Sequence, residues 1–158
     1  MKEKSTVKIR LMKADDLDAV VRIDEKALKI EDKALKASRR EYYRLRFGKF
    51  VQSKDNLPVS LVAEKEDGTV VGFVMGELYI GEYGISHETA TLDTIGVDPD
   101  YERMGIGGQL IKEYMAHMKA LGVRKINTLI EWNDYRLIHF FSVNQFSPSQ
   151  TINLVRTL

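Results

Sequence analysis

The sequence predicts a mixed α/β domain in which helices pack on a mostly antiparallel sheet, and three observations carry that prediction. Val7, Ile9 and Leu11 alternate with Lys8 and Arg10, the two-residue period of a half-buried strand. Asp67-Gly68 separates two strand-like runs, Leu57 to Glu64 and Val70 to Ile80, which is the strongest hairpin signal in the chain. After a glycine cluster at Gly105 to Gly108, Ile106, Leu110, Tyr114, Met118 and Leu121 recur every three or four residues. That spacing predicts one amphipathic helix, closed by Gly122.

The remaining elements follow in order. Asp15 and Asp16 suit a helix N-terminus, where negative charge is favoured, and Leu17, Val20, Val21, Ala27 and Leu28 continue at helical spacing. Lys33 to Lys49 predicts a second helix, with seven cations and a single Glu41, read as a solvated face with Tyr42 and Tyr43 packed inward. Thr89 to Val97 reads as a strand stopped by Pro99, completing a meander of three antiparallel strands. Arg124 to Glu131 is a further strand, Asp134 to Val143 a short helix broken by Pro148, and Thr151 to Arg156 a last strand. There is no repeat, low-complexity tract or linker, so residues 1–158 read as a single domain.

Composition excludes several classes of function. The chain has 158 residues, 24 Lys plus Arg against 23 Asp plus Glu, and a net charge of +1, which argues against nucleic acid or an anionic membrane as the partner. Cysteine is absent, and with it disulfides, thiolate metal sites and cysteine nucleophiles. His87, His117 and His139 are too scattered to suggest a metal site, and His117 is expected on a solvated helix face. No apolar run approaches the roughly 20 residues of a membrane span. The N-terminal segment has no apolar core of a secretory signal, so a cytoplasmic location is expected.

The stretch Asp93-Thr-Ile-Gly-Val-Asp-Pro-Asp-Tyr-Glu-Arg-Met-Gly-Ile-Gly-Gly108 carries the chemistry. A strand runs through a turn and glycines into a helix, whose first N–H groups lack internal partners and point outward at the positive end of the dipole. Such a site holds a diphosphate well, and Arg103 can add a charge-assisted contact. No Gly-Lys-Ser/Thr follows, which excludes a P-loop. A dinucleotide fingerprint belongs instead in the first strand–helix unit of a parallel sheet.

Ile95 to Tyr101 followed by Arg103-Met-Gly-Ile-Gly-Gly108 resembles motif A of the GNAT N-acyltransferase superfamily, and Asp134 to Phe146 is similar to its later motif, a helix ending in Tyr-x-x-x-Gly-Phe. The order of elements matches over nearly the whole chain. The resemblance implies a three-layer α/β fold: a mostly antiparallel mixed sheet, helices on both faces, and strands splayed around an acetyl-CoA site. Pantetheine would pair with the backbone of Ile95, Gly96 and Val97, and the pyrophosphate would lie on Arg103, Met104, Gly105, Ile106, Gly107 and Gly108. Asp134 and Phe141 join the implied cofactor set at positions where the family commonly has Asn and Tyr. A backbone N–H near Ile95 would polarise the thioester carbonyl.

The sequence departs from the family pattern in ways that matter chemically. Glu102 replaces the usual Gln or Arg and is expected to turn outward. Phe141 removes the hydroxyl that often protonates the departing thiolate, leaving water or Tyr135. After Phe146 there is room for one strand where the family has two, so the C-terminal hairpin is expected to be shortened, its missing strand absent or supplied by a second subunit in a homodimer.

The implied reaction is N-acetyl transfer from acetyl-CoA to a primary amine, on a small molecule, a lysine or a protein N-terminus. The amine must first lose a proton. Glu131, Asp93 and Glu88 are the candidate bases, Glu131 first because strand ends beside the gap face the reacting centre. The basic helix and the hairpin tip Ile80 to Glu88 are candidate acceptor surfaces, and Trp132 is expected under the cofactor or sealing the core. A second reading is a catalytically weak acyl-CoA sensor, and a third a nucleic-acid-associated protein using the Lys33–Lys49 face.

Overall fold

The computed structural model describes residues 6–52, 58–80 and 88–158. Leu57, the hairpin tip from 81 to 87, and the side chains of residues 79, 80 and 88 lie outside the described residues. The elements run β1 (Val7–Leu11), α1 (Leu17–Ala27), α2 (Lys33–Val51), β2 (Leu61–Lys65), β3 (Val70–Ile80), β4 (Glu88–Val97), α3 (Ile106–Ala120), β5 (Lys125–Asn127) and α4 (Tyr135–Val143). Short 3-10 turns at Ala14–Asp16 and Pro99–Tyr101 lead into α1 and follow β4. The chain divides into two compact units, Met1–Thr128 and Leu129–Leu158.

The sheet has the order β1-β2-β3-β4-β5, with the first four strands antiparallel and β5 parallel to β4. Period-two alternation in β3 divides the core into two layers. Phe73 and Met75 join Val20, Val21, Ile23, Tyr43, Phe47 and Phe50 in a cluster with α1 and α2. Gly72 and Gly76 face the other way. A Cβ at Gly72 would lie 3.1 Å from the Leu110 side chain, and one at Gly76 2.0 Å from the Tyr114 hydroxyl. Helix α3 can therefore sit close against the sheet, with Ile106, Leu110, Tyr114 and Met118 fully buried.

The elements end for local reasons. Asp32 caps α2 through its side chain, which accepts from the Leu35 N–H at 2.7 Å. Gly122, at φ 85°, follows the end of α3 in the left-handed conformation that only glycine adopts cheaply. Arg10 joins β1 to the first turn and to β2 through Asp16 at 2.8 Å and Glu64 at 2.6 Å. Burial alone would raise the Asp16 carboxyl pKa, but hydrogen bonds from Arg10 and the Lys13 N–H outweigh it and hold the group low.

Two expectations are corrected. β5 covers three residues, not Arg124 to Glu131, because its ladder with β4 stops at Thr91↔Asn127. Thr151 to Arg156 forms no strand: it has no ladder partner among the described residues, and Ile152, Leu154 and Val155 are exposed. No helix among the described residues is long and apolar enough to cross a membrane.

Gly76→Ala tests the tight layer between β3 and α3. Its Cβ would also lie 2.3 Å from the Thr91 carbonyl oxygen, so neither a rotamer change nor Tyr114→Phe relieves it. Urea unfolding should show a loss of about 3 kcal/mol.

Candidate functional site

Strand β4 is paired on both sides only at its start. It meets β5 at Thr89, Ala90 and Thr91, and beyond that point its edge away from β3 has no strand partner among the described residues. The pairing with β3 shifts at the same place: Gly76 faces Leu92 and Met75 faces Thr94, so Asp93 is the extra residue of a bulge. The free edge from Leu92 to Val97 leads into Asp98, the turn Pro99–Tyr101 and the glycine loop before α3.

The loop takes two left-handed residues, Arg103 at φ 64° and Gly105 at φ 80°. Helical hydrogen bonding begins with the Gln109 N–H to the Gly105 carbonyl at 3.0 Å. The N–H groups of Ile106, Gly107 and Gly108 therefore precede the first helical donor. A Cβ at Gly105 or Gly108 would meet nothing within 4 Å, so open space lies beside both. Arg103 is exposed, Met104 half-buried, and Glu102 half-buried instead of fully turned to solvent.

Asp93 is exposed at the bulge, and its Oδ2 accepts from the Tyr42 hydroxyl at 3.3 Å and the Thr94 hydroxyl at 3.1 Å. Tyr42 lies under the Arg46 guanidinium, 5.2 Å from the ring centroid, and Arg46 approaches Glu77 at 3.9 Å. Burial first, and then the negative charge of Asp93, push the Tyr42 phenol above its ordinary pKa of 10.0. From the α3 layer, Tyr114 donates to the Thr91 carbonyl at 3.3 Å, and burial followed by the charge of Asp93 also pushes its phenol up. Two phenols from opposite helical layers thus bracket the bulge.

The basic helix is not an open cationic patch. Arg39 pairs with Asp24 at 2.6 Å, Arg40 with Glu25 at 3.7 Å and Arg44 with Glu41 at 2.6 Å, while Arg46 has Glu77. Tyr43 is packed inward as expected, donating to Asp24 at 2.8 Å. Tyr42 is half-buried against the same core, with its hydroxyl reaching Asp93. His117 is also corrected: it is half-buried, and its Nε2–H donates to the Pro58 carbonyl at 2.6 Å.

The other candidate residues are more scattered. Glu88 begins β4, with its side chain outside the described residues. Glu131 is exposed, and its carbonyl accepts from the Asp134 N–H at 3.0 Å. Asp134 caps α4, accepting from the Leu137 N–H at 3.0 Å. Phe141 is buried against the rings of Phe140 and Phe146, at 5.3 and 5.0 Å. Trp132 does not seal the core: it is 79% exposed. Among the described residues no cluster of three or more His, Cys, Asp or Glu could hold a metal ion.

The acetyltransferase (GNAT) family profile matches residues 24–144. The chain belongs to that family. Mycothiol acetyltransferase of Propionibacterium freudenreichii subsp. shermanii is 32% identical over 102 residues, which is 58% of this chain and only 28% of that protein. Three solved structures share the fold. The PaiA N-acetyltransferase of Thermoplasma acidophilum with coenzyme A has TM-score 0.75 and 20% identity, covering 93% of each chain. The ribosomal-protein-S18-alanine N-acetyltransferase of Escherichia coli has 0.70 and 19%, covering 92% of this chain and 80% of that one. The aminoglycoside acetyltransferase AAC(6')-Iy with a bisubstrate analogue has 0.67 and 17%, covering 98% and 99%.

Family membership and the geometry agree on an acyl-CoA donor. The open loop with unpaired N–H groups suits a diphosphate, and the unpaired edge of β4 suits an extended chain of amides. The family's later motif differs here at a glycine. Gln145 stands in that place at φ 68°, with the Phe146 N–H bonded back to the Phe141 carbonyl at 3.0 Å. Gln145→Gly should therefore raise the unfolding free energy by about 1 kcal/mol in thermal or urea melts.

Proposed function

We propose that the chain moves an acetyl group from acetyl-CoA to a primary amine, by direct attack while donor and acceptor are bound together. The observation that supports this most is the continuity of the free edge of β4, from Leu92 to Val97, with the open loop ahead of α3. In this reading, the backbone of Ile95, Gly96 and Val97 pairs with the pantetheine amides. The N–H groups of Arg103, Met104, Gly105, Ile106, Gly107 and Gly108 receive the diphosphate, helped by the Arg103 guanidinium. Asp134 and Phe141 are the further cofactor candidates that the family motif implies.

Acetyl-CoA, when bound, supplies the activated acyl carbonyl; the rest falls to the chain's own residues. An N–H near Ile95 stabilises the developing oxyanion. The incoming ammonium loses its proton to Asp93, directly or through water. Asp93 has more support than Glu131 or Glu88, because it is exposed at the bulge and two hydroxyls fix one of its oxygens. Phe141 cannot protonate the departing thiolate, which takes its proton from water.

The acceptor, by analogy with relatives named for aminoglycosides and a ribosomal-protein alanine, is an amine on a small molecule or a protein. Residues 1–158 act as one catalytic domain in this reading.

Calorimetric titration with acetyl-CoA, with ATP and NAD as controls, should show saturable binding of the coenzyme A compound alone. Gly108→Asp, placed where a side chain meets open space, should keep the melting temperature and lose at least about tenfold in affinity. Unchanged affinity would remove the diphosphate assignment. With the best substrate from a panel of a polyamine, an aminoglycoside and an alanine-terminated peptide, Asp93→Asn should lower kcat about a hundredfold without changing acetyl-CoA affinity. Full activity would pass the base role to Glu131, Glu88 or water.

A further inference from the structure

The turn between β4 and the glycine loop is held from three directions. From β3, the Val71 carbonyl accepts from the Asp98 N–H at 2.8 Å. From β2, the Lys65 ammonium lies 5.5 Å from the centroid of the Tyr101 ring. From α1, Lys26 donates to Asp98 at 2.7 Å and to Asp100 at 2.5 Å. Asp98 also accepts from the Asp100 N–H at 3.0 Å, so its carboxylate closes the turn from within. Its side chain is only 6% exposed, whereas that of Asp100 is 71% exposed.

This arrangement is unusual in its charge. Two carboxylates stand a few residues ahead of a loop suited to an anion. Burial by itself would raise the pKa of Asp98; the hydrogen bonds from Lys26 and the Asp100 N–H outweigh it and keep the carboxyl ionised. Lys26, in turn, is held charged above its usual range, first by Asp100 and then by Asp98. Arg22 lies near enough to Asp98 to lower its pKa as well, but its guanidinium donates to the Val70 carbonyl at 2.7 Å. Lys26 alone is shown bonded to both acids among the described residues.

We propose that Lys26 is a positioning residue for coenzyme A: it fixes the Asp98–Asp100 turn from which the loop N–H groups are aimed, and it neutralises two carboxylates on the approach to an anion site. The inference rests on the diphosphate reading of the loop. The backbone after the turn holds two left-handed residues, Arg103 and Gly105, within three positions. Such a loop presents its N–H groups in one orientation only if the turn before it is fixed. An isolated surface ion pair would contribute little, but one ammonium shared by two carboxylates, one of them buried, is a network.

The test is calorimetric titration of the full chain with coenzyme A, alongside thermal melts, for the unaltered protein, Lys26→Met, Lys26→Gln and Lys26→Arg. Lys26→Met and Lys26→Gln should each lower the melting temperature, because Asp98 loses its partner, yet weaken binding about fivefold or more at a temperature where both variants remain fully folded, and Lys26→Arg should restore binding. Hydrogen exchange of the Arg103 to Gly107 amides should quicken in the two neutral variants and not in Lys26→Arg. Wild-type affinity in both neutral variants overturns the proposal. So does loss of affinity that only follows loss of the folded state, since Lys26 would then act on stability alone. Failure of the diphosphate reading looks different: the unaltered protein would not bind coenzyme A, or Gly108→Asp would bind it as well as the unaltered protein.

Discussion

A backbone strand cannot simply stop pairing at the edge of another strand without leaving N–H and C=O groups to find other partners. In this fold β5 leaves β4 after three residues, and β4 runs on through a bulge at Asp93 toward the loop before α3. The rest of the structure follows from that interruption. The bulge turns Asp93 outward, the free edge offers amide partners, and the path ends at a helix start with further unpaired N–H groups. Water can satisfy such groups; in the proposed reading, an extended polyamide with a diphosphate at one end would satisfy them along its length.

The core exists to hold this interruption in place. On one side, Phe73 and Met75 lock β3 to α1 and α2; on the other, Gly72 and Gly76 let α3 approach closely. Tyr114 illustrates the economy of the arrangement. Its ring fills the core, while its hydroxyl reaches the Thr91 carbonyl at the last residue that β5 pairs. The position where the sheet opens is thus held by a buried group on a helix whose other end carries the glycine loop.

Much of this was legible in the sequence, and the parts that were not share a cause. Periodic patterns, composition and turn signals located the strands and α-helices described in the first unit, β5 with too long a range, and local chemistry marks several of their ends, as at Asp67-Gly68 and Gly122. The glycine loop was legible because a cluster of glycines ahead of an amphipathic helix leaves a compositional trace. The short extent of β5 was not, since Arg124 to Glu131 has apolar residues enough for a longer strand, and nothing in its composition marks where the ladder stops. Lys26 meeting Asp98 and Asp100, or Tyr42 meeting Asp93, joins residues far apart in the chain. An exposed lysine or tyrosine carries no local signal of such a partner. The arginines of α2 taught the converse: their density suggested a patch, but each has an acidic neighbour supplied by the fold.

The glycines in the middle of β3 have a consequence for how the domain comes together. Glycine is a poor strand former, and two of them four residues apart weaken the central strand on its own. Besides its ladders to β2 and β4 and the packing of Phe73 and Met75, that strand is held by the close seating of α3, which is encoded well downstream. During synthesis, the meander can emerge early, but its centre consolidates only once the later helix has docked. The same docking event forms the start of α3 and the loop ahead of it. Completion of that side of the core and formation of the glycine loop thus draw on the same helix.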